Sequence, residues 1–288
     1  MQGGEPLLPR GRPHAPPRKP PPSSMLFMAP VNEHWSRRGG RGVSTGAESG
    51  SVEAAVHVTC GLIGLAIAVA VSLLHSVTSA LSNTKMAVLI AVRAGGDDVW
   101  ACWACLVAIA TTFGLGAYAC VICVPHSRGS GLPQLIAYLN GIKIDGFTSA
   151  KVLLAKLTGT ALAIGGGFYI GPEGPIIHSG ACIGKCLLLG LYHLGQFRPF
   201  RTFRQFRNDV DQRDFVAIGA GAGVAAAFMA PVSGIIFVVE EASTHFSLAL
   251  LWRAFFAAIV AIWASHWVNL AEVRCHGMAR AWMRHGMA

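Results

Sequence analysis

Charge is what this sequence has little of. Only 13% of its 288 residues are Asp, Glu, Lys or Arg, about half the share found in an ordinary soluble domain. So few charges cannot clothe a folded surface of this size in water, which excludes water-soluble enzymes, disordered tails and disulfide scaffolds as descriptions of the whole chain. What fills the sequence instead is apolar, at 53% of residues and a mean hydropathy of +0.50. The chain belongs in a membrane.

The charge that does exist is unevenly placed. Of the bases behind the net charge of +9, seven precede residue 50: Arg10, Arg12, Arg18, Lys19, Arg37, Arg38 and Arg41. That stretch is rich in Pro and Gly and cannot bury enough apolar surface to order itself, so residues 1–53 are expected to be a disordered basic tail on the cytoplasmic side. It carries almost no aromatic interleaving and leads straight into membrane, which argues against nucleic acid as a partner. A cleaved signal also fits poorly, because the apolar run after Arg37-Arg38 is too long and several more follow.

Apolar segments run over 54–80, 100–124, 150–170, 175–194, 215–239 and 248–269. Several reach the ~20 residues that cross a hydrocarbon core as a helix. Much of the glycine, 34 residues in all, lies inside these runs, as in GTALAIGGG and AIGAGAGVAAAF, where small residues let helix backbones approach closely. Four Phe-Arg triplets at 197–208 suit a loop at the headgroup boundary. The last segment, 271–288, repeats HGMA, has no membrane period and is expected to be unstructured. Cys102-x-x-Cys105 and Cys120-x-x-Cys123 fall in one charge-free run, over 20 Å apart if it is a single helix, so one tetrahedral ion cannot bridge them and no metal site is expected.

The informative feature is where these helices break. In GSGLPQLIAYLNG (129–141), Pro133 is a starter residue and Asn140-Gly141 a stop, leaving a half-helix of about ten ångströms. GPEGPIIHSG (171–180) brackets Glu173 between glycines and prolines at the head of a new helix. Pro231 interrupts a third apolar run. Irregular backbone at membrane depth survives where it is buried in protein or lines a wet cavity. Helix starts present free N–H groups and about half a positive charge, which attracts anions. Broken helices are how many transporters hold a charged substrate. With Ser130 adding a hydroxyl and neither break containing Lys or Arg, the site favours a small, weakly basic anion such as chloride.

Glu173 stands out because a carboxylate in an apolar stretch is costly unless protonated or paired. Burial raises its pKa while the N–H groups of the helix start lower it, so the residue is switchable. Ionised, it could occupy the anion's own site; protonated, it could swing aside. Glu240 and Glu241 end the helix begun at Pro231, at the unfavourable end of its dipole. Adjacent residues point about 100° apart, so one is expected to face inward and the other to reach water.

GSGLP (129–133), GPEGP (171–175) and RDFVAIGAGAGVAAAFMAPVSGIIFVVEE (213–241), in this order and spacing, resemble the CLC family of chloride channels and chloride/proton exchangers. The resemblance spans about 54–270. It implies an all-α integral membrane fold of broken and re-entrant helices. Its chloride-binding positions fall on Gly129, Ser130, Gly131, Gly171, Glu173 and Gly174. Ser130 takes the place of the serine that coordinates the central chloride, where nitrate exchangers tend to carry proline. Glu173 matches the gate, and Glu241 the internal proton-transfer residue that channels usually replace by an apolar side chain. Glu241 therefore favours an exchanger. Gln134 and YLNGIKI (138–144) look like the endosomal, lysosomal and vacuolar branch.

Two departures stand out. Pro172 replaces the Lys or Arg common in the family, removing a donor and a charge beside the outer anion site. The family's second, inverted half and its CBS domains have no counterpart after Leu270, so the chain reads as the first inverted repeat alone, cut short. The expected partners are chloride, protons, the lipid bilayer and a second copy of the chain; no cofactor is implied. The competing readings are a truncated, non-conducting product, a CLC-type channel, and an intramembrane serine protease using Ser130 with His178 as base, which leaves Pro133 and the Glu173 motif unexplained.

Overall fold

The computed structural model describes residues 46–96, 99–142, 144–194, 209–242 and 248–285. Among them no strand forms, and the chain is a succession of helices. In order these are α1 (Gly46–Ala94), α2 (Val99–Cys123), a 3-10 turn (Pro125–Ser127), α3 (Leu132–Leu139), α4 (Ala150–Gly166), α5 (Glu173–Leu194), α6 (Asp209–Phe228), α7 (Pro231–Ile236) and α8 (Leu248–His285). A π-helical turn over Phe237–Ala242 continues α7. Among the described residues, four stretches are long and apolar enough to cross a membrane: Glu53–Ala94, Val99–Cys123, Glu173–Leu191 and Ala249–Val268. The fold is that of an all-α integral membrane protein.

Helix α2 shows what the lipid sees. None of its 25 residues is buried, and Trp100, Trp103, Leu115 and Tyr118 are exposed, so an apolar helix turns much of its surface outward, as a lipid-facing helix can, while Gly116 packs on Leu162 of α4. Burial elsewhere is shared between two clusters. One joins Ile63 and Ile67 of α1, Ile183 of α5, Ile218 of α6, and Ala257 and Ala261 of α8. The other gathers Leu135 and Leu139 of α3, Phe147, Ile177 of α5, Val216 and Val224 of α6, and Val238 of the π turn.

The centre is held by backbone rather than side chains. Gly180 and Gly184 of α5 face Gly219 and Gly223 of α6 in an antiparallel crossing, where a β-carbon on Gly219 would sit 3.0 Å from the Gly180 carbonyl carbon and 3.2 Å from the Gly184 Cα. One on Gly223 would lie 3.1 Å from the Ile176 carbonyl oxygen. Two GxxxG spacings thus mesh, the close approach that lipid-embedded helices use in place of hydrophobic drive. Gly64 does the same for α1 against α8, 2.5 Å from the Ala257 oxygen by the same measure.

Helix boundaries depart from expectation at both ends. Helix α1 begins at Gly46, inside the stretch read as a tail. Helix α8 continues to His285, through residues read as unstructured. In the second case AEVRCHGMARAWMRH lacks membrane periodicity but is rich in Ala, Arg and Met, whose intrinsic helix propensity carries the helix past its apolar part. The Phe-Arg triplets lie outside the described residues. Both CxxC pairs lie along α2, and among the described residues no three His, Cys, Asp or Glu side chains gather as metal ligands.

Candidate anion site at two helix starts

The first break folds as a half-helix. Helix α3 has eight residues, about 12 Å of rise. Gly131 is its N-cap at φ 82°, with proline in the first turn, and Asn140 closes it. Gly129, at φ 64°, and Gly131 both use the left-handed conformation that glycine adopts without strain. Between them Ser130 is exposed, and its Oγ accepts from the Leu132 N–H at 3.4 Å.

The second break comes against the first. Glu173 opens α5 in its first turn, and the Ile176 N–H donates to the Pro172 carbonyl at 2.9 Å. A β-carbon on Gly174 would fall 2.8 Å from the Ser130 Cβ, so the two motifs, over forty residues apart in sequence, touch through a glycine that leaves the serine room. Gly171 leaves similar room for the Glu173 carboxylate, which folds back over it. Glu173 is half-buried, while Gly171 and Gly129 are exposed. Two helix starts, a hydroxyl and a carboxylate therefore share one surface.

Sequence reasoning missed Lys156. Although neither break contains a base, α4 brings one to the first: Lys156 is 3% exposed and its Nζ donates to the Gly129 carbonyl at 2.8 Å. Among the described residues it forms no ion pair. The bond turns that carbonyl, the negative end of its peptide dipole, toward the lysine. The available signal was the second lysine of AKVLLAKLTGTALAIGG, set a full turn inside an apolar run where Lys151 stands at its start, since charges inside membrane segments are functional by default.

His178 lies five residues after Glu173, buried, its ring stacked on Phe147 at 4.3 Å and 13°. Its Nε2 donates to the Phe147 carbonyl at 3.2 Å. That places it on Phe147 rather than on Ser130, where the protease reading required it.

The third break is built differently. Helix α7 has six residues, and Gly234 packs on Gly221 and Ala225 of α6. Val238 of the following turn also meets Gly221, so this segment runs back along α6 toward Asp209. Glu173, by contrast, lies near the Phe228 end of α6, because Ile176 meets Gly223. Glu173 therefore lies level with the Phe228 end of α6 and Glu241 with its middle, roughly 12 Å apart along its axis. Glu240 and Glu241 are both exposed, where one was expected to face inward. The π turn changes the angle between successive residues that the expectation assumed to be helical.

Farther along, at the start of α6 and outside the spans, Asp211 has its pKa pushed up to about 6 by burial and by the neighbouring Asp214 carboxylate, with Arg253 of α8 opposing. Folding raises this pKa, so the native state binds the proton more tightly. The penalty for the ionised carboxylate is absent below about pH 4, grows as pH rises toward 6 and is full above it. Asp211→Asn is accordingly expected to raise the melting temperature at pH 7.5 and to leave it unchanged near pH 4. An equal gain at both pH values would show that the carboxylate's charge is not the cause.

A multi-helix membrane protein in which two broken helices present their starts to one surface is the class this architecture defines. Residues 113–283, more than half of the chain, match the family model described as voltage gated chloride channel. The chain belongs to that family. It is 34% identical over 224 residues to the human H(+)/Cl(-) exchange transporter 7, covering 76% of this chain and 28% of the relative. It is 44% identical over 145 residues to chloride channel protein CLC-c of Arabidopsis thaliana, covering 50% and 18%. Among solved structures it is similar to a slow cyanobacterial Cl-/H+ antiporter, with a TM-score of 0.61 and 25% identity over 74% of this chain and 46% of that one. The chain spans less than a third of the length of these curated relatives.

Proposed function

We propose that this chain forms an anion pathway of a chloride/proton antiporter, with Ser130 and the N–H groups of the α3 and α5 starts holding chloride and Glu173 acting as the gate. The observation that carries the reading is the contact between Gly174 and Ser130, which puts a hydroxyl, helix starts and a switchable carboxylate at one place. Gly129, Gly131, Gly171 and Gly174 serve by letting backbone approach the ion. Ionised, the Glu173 carboxylate competes with chloride for the same positive potential; protonated, it no longer does. Glu241, farther along the α5–α6 axis, hands protons to and from water on the opposite side. The relatives named as H(+)/Cl(-) exchangers support exchange over simple conduction. An endosomal, lysosomal or vacuolar membrane and a homodimer as the working assembly, both implied by the motif resemblance, complete the proposal.

The test is reconstitution of the full chain into chloride-loaded liposomes, with internal pH followed by a dye. A chloride gradient should move protons. Glu173→Ala should abolish proton movement, an effect of at least about tenfold, equivalent to removing some 1.4 kcal/mol or more of coupling. Wild-type vesicles that move no chloride would sink the reading for this chain, and unchanged coupling in Glu173→Ala would remove the gate from that residue.

A further inference from the structure

We propose that His178 is a positioning residue that locks the Ser130 loop to the helix bearing Glu173, so that the hydroxyl and the start of that helix move as one body while the carboxylate stays free to swing. The inference rests on the anion-pathway reading above and gives its geometry a cause. His178 is completely buried and sits on α5 little more than one turn beyond Glu173. Its ring is held in three ways. Phe147 stacks on one face. The Phe147 carbonyl, which can only accept, takes the Nε2 proton at 3.2 Å, which fixes the tautomer with the proton on Nε2 and a bare lone pair on Nδ1. The edge carrying Nδ1 lies against Gly131: a β-carbon there would be 2.6 Å from the ring Cγ and 3.0 Å from the His178 Cβ.

Nδ1 has no hydrogen-bond partner among the described residues. Leaving an acceptor buried and unpaired is destabilising, a cost that an apolar ring of the same shape would avoid. A packing role alone would therefore be served better by phenylalanine. The imidazole meets a further requirement, a planar wedge that donates at one edge and leaves no proton at the other. With no proton on Nδ1, that edge packs directly against Gly131. Together with Lys156 on the Gly129 carbonyl, the ring fixes both glycines flanking Ser130 from behind, while Ser130 itself stays exposed.

Glutamine can place an N–H donor where Nε2 lies; leucine fills space without one. Two measurements on the full chain in lipid nanodiscs or liposomes decide the matter. Hydrogen exchange of residues 129–132, read by mass spectrometry, should be the same in wild type and His178→Gln. It should be about tenfold faster in His178→Leu, the factor that corresponds to about 1.4 kcal/mol for a lost buried bond. The ratio of chloride to nitrate flux should follow the same order, retained by Gln and lost by Leu, while Gly131→Ala, which drives a methyl into the ring, should behave like Leu. Exchange in the loop unaltered by His178→Leu would overturn the lock. So would equal exchange and flux ratios in the Gln and Leu variants, which would leave the ring as filler. Wild-type vesicles without chloride flux would sink the transport reading, and the exchange arm would still decide whether His178 holds the loop.

Discussion

Leucine at Gly219 is expected to leave no folded, monodisperse protein after extraction into mild detergent, whereas alanine at Gly190 is expected to raise the melting temperature. Both positions are helical glycines in the same two-helix unit, so the contrast isolates what surrounds them. At Gly219 the first atoms a side chain meets are the Gly180 carbonyl and the Gly184 Cα. Those are backbone atoms of a facing helix, which cannot rotate away. Overpacking against movable side chains already costs about 1–3 kcal/mol; here α5 and α6 must separate. They would take with them the core built from Ile177, Val216, Val224 and Val238. Around Gly190 there is nothing within 4 Å, and the gain is the helix propensity of alanine, about 0.5–1 kcal/mol. Fluorescence-detected size exclusion after a temperature ramp reads both outcomes. A Gly219→Leu protein that elutes and melts like wild type would show that the helices are not in backbone contact.

Lys156→Met should weaken chloride binding by roughly ten- to a hundredfold while leaving the melting temperature unchanged or higher. The opposite signs follow from different terms. Burying an ammonium without an anionic side chain costs several kcal/mol, so an unbranched apolar chain of similar length relieves the fold. The charged bond to the Gly129 carbonyl, worth about 1.5–3 kcal/mol, holds the loop's dipole turned away from the Ser130 hydroxyl, and its loss falls on the anion. Arginine should not rescue, because a residue 3% exposed leaves no space for a planar guanidinium. Titration calorimetry with sodium chloride, paired with thermal melting, separates the two. A methionine variant that loses stability in step with affinity would mark the lysine as a structural element alone.

The parts of this fold written in local chemistry were readable in the sequence. Gly131, Pro133 and Asn140 each state their duty at a helix end, and α3 begins and stops where they say. Pro231 announces its break for the same reason, since a missing N–H acts on its own neighbours. Contacts between distant segments left weaker traces. Gly174 could be seen as small but not as the residue that Ser130 needs small, because that partnership depends on how α3 and α5 pack. Lys156 was hidden similarly: its role comes from α4 lying behind the loop. The π turn before Glu241 escaped because FVVEEA differs in no propensity from an ordinary helix end. At the chain's end, weak but uniform helix propensity outlasted the hydrophobic pattern that had been used to bound α8. Ser130 and Glu173 could be singled out from the helix breaks and the cost of a carboxylate in an apolar stretch, whereas the proton-transfer role of Glu241 came with the motif resemblance.

The glycine crossing of α5 and α6 also sets limits on motion. Two helices that touch through carbonyls and α-carbons have no rotamers between them, so the seam has no alternative packings to pass through. Sliding or tilting one against the other would open a gap that no side chain can swing to fill, and bare backbone offers no intermediate stops. Such a seam is stiff in a way that a leucine interface is not. Because Glu173 rides on one of these helices, its carboxylate travels by its own side-chain torsions, over the space that Gly171 leaves open. A swing of that kind belongs to the nanosecond world of single bonds rather than to the far slower one of moving helices.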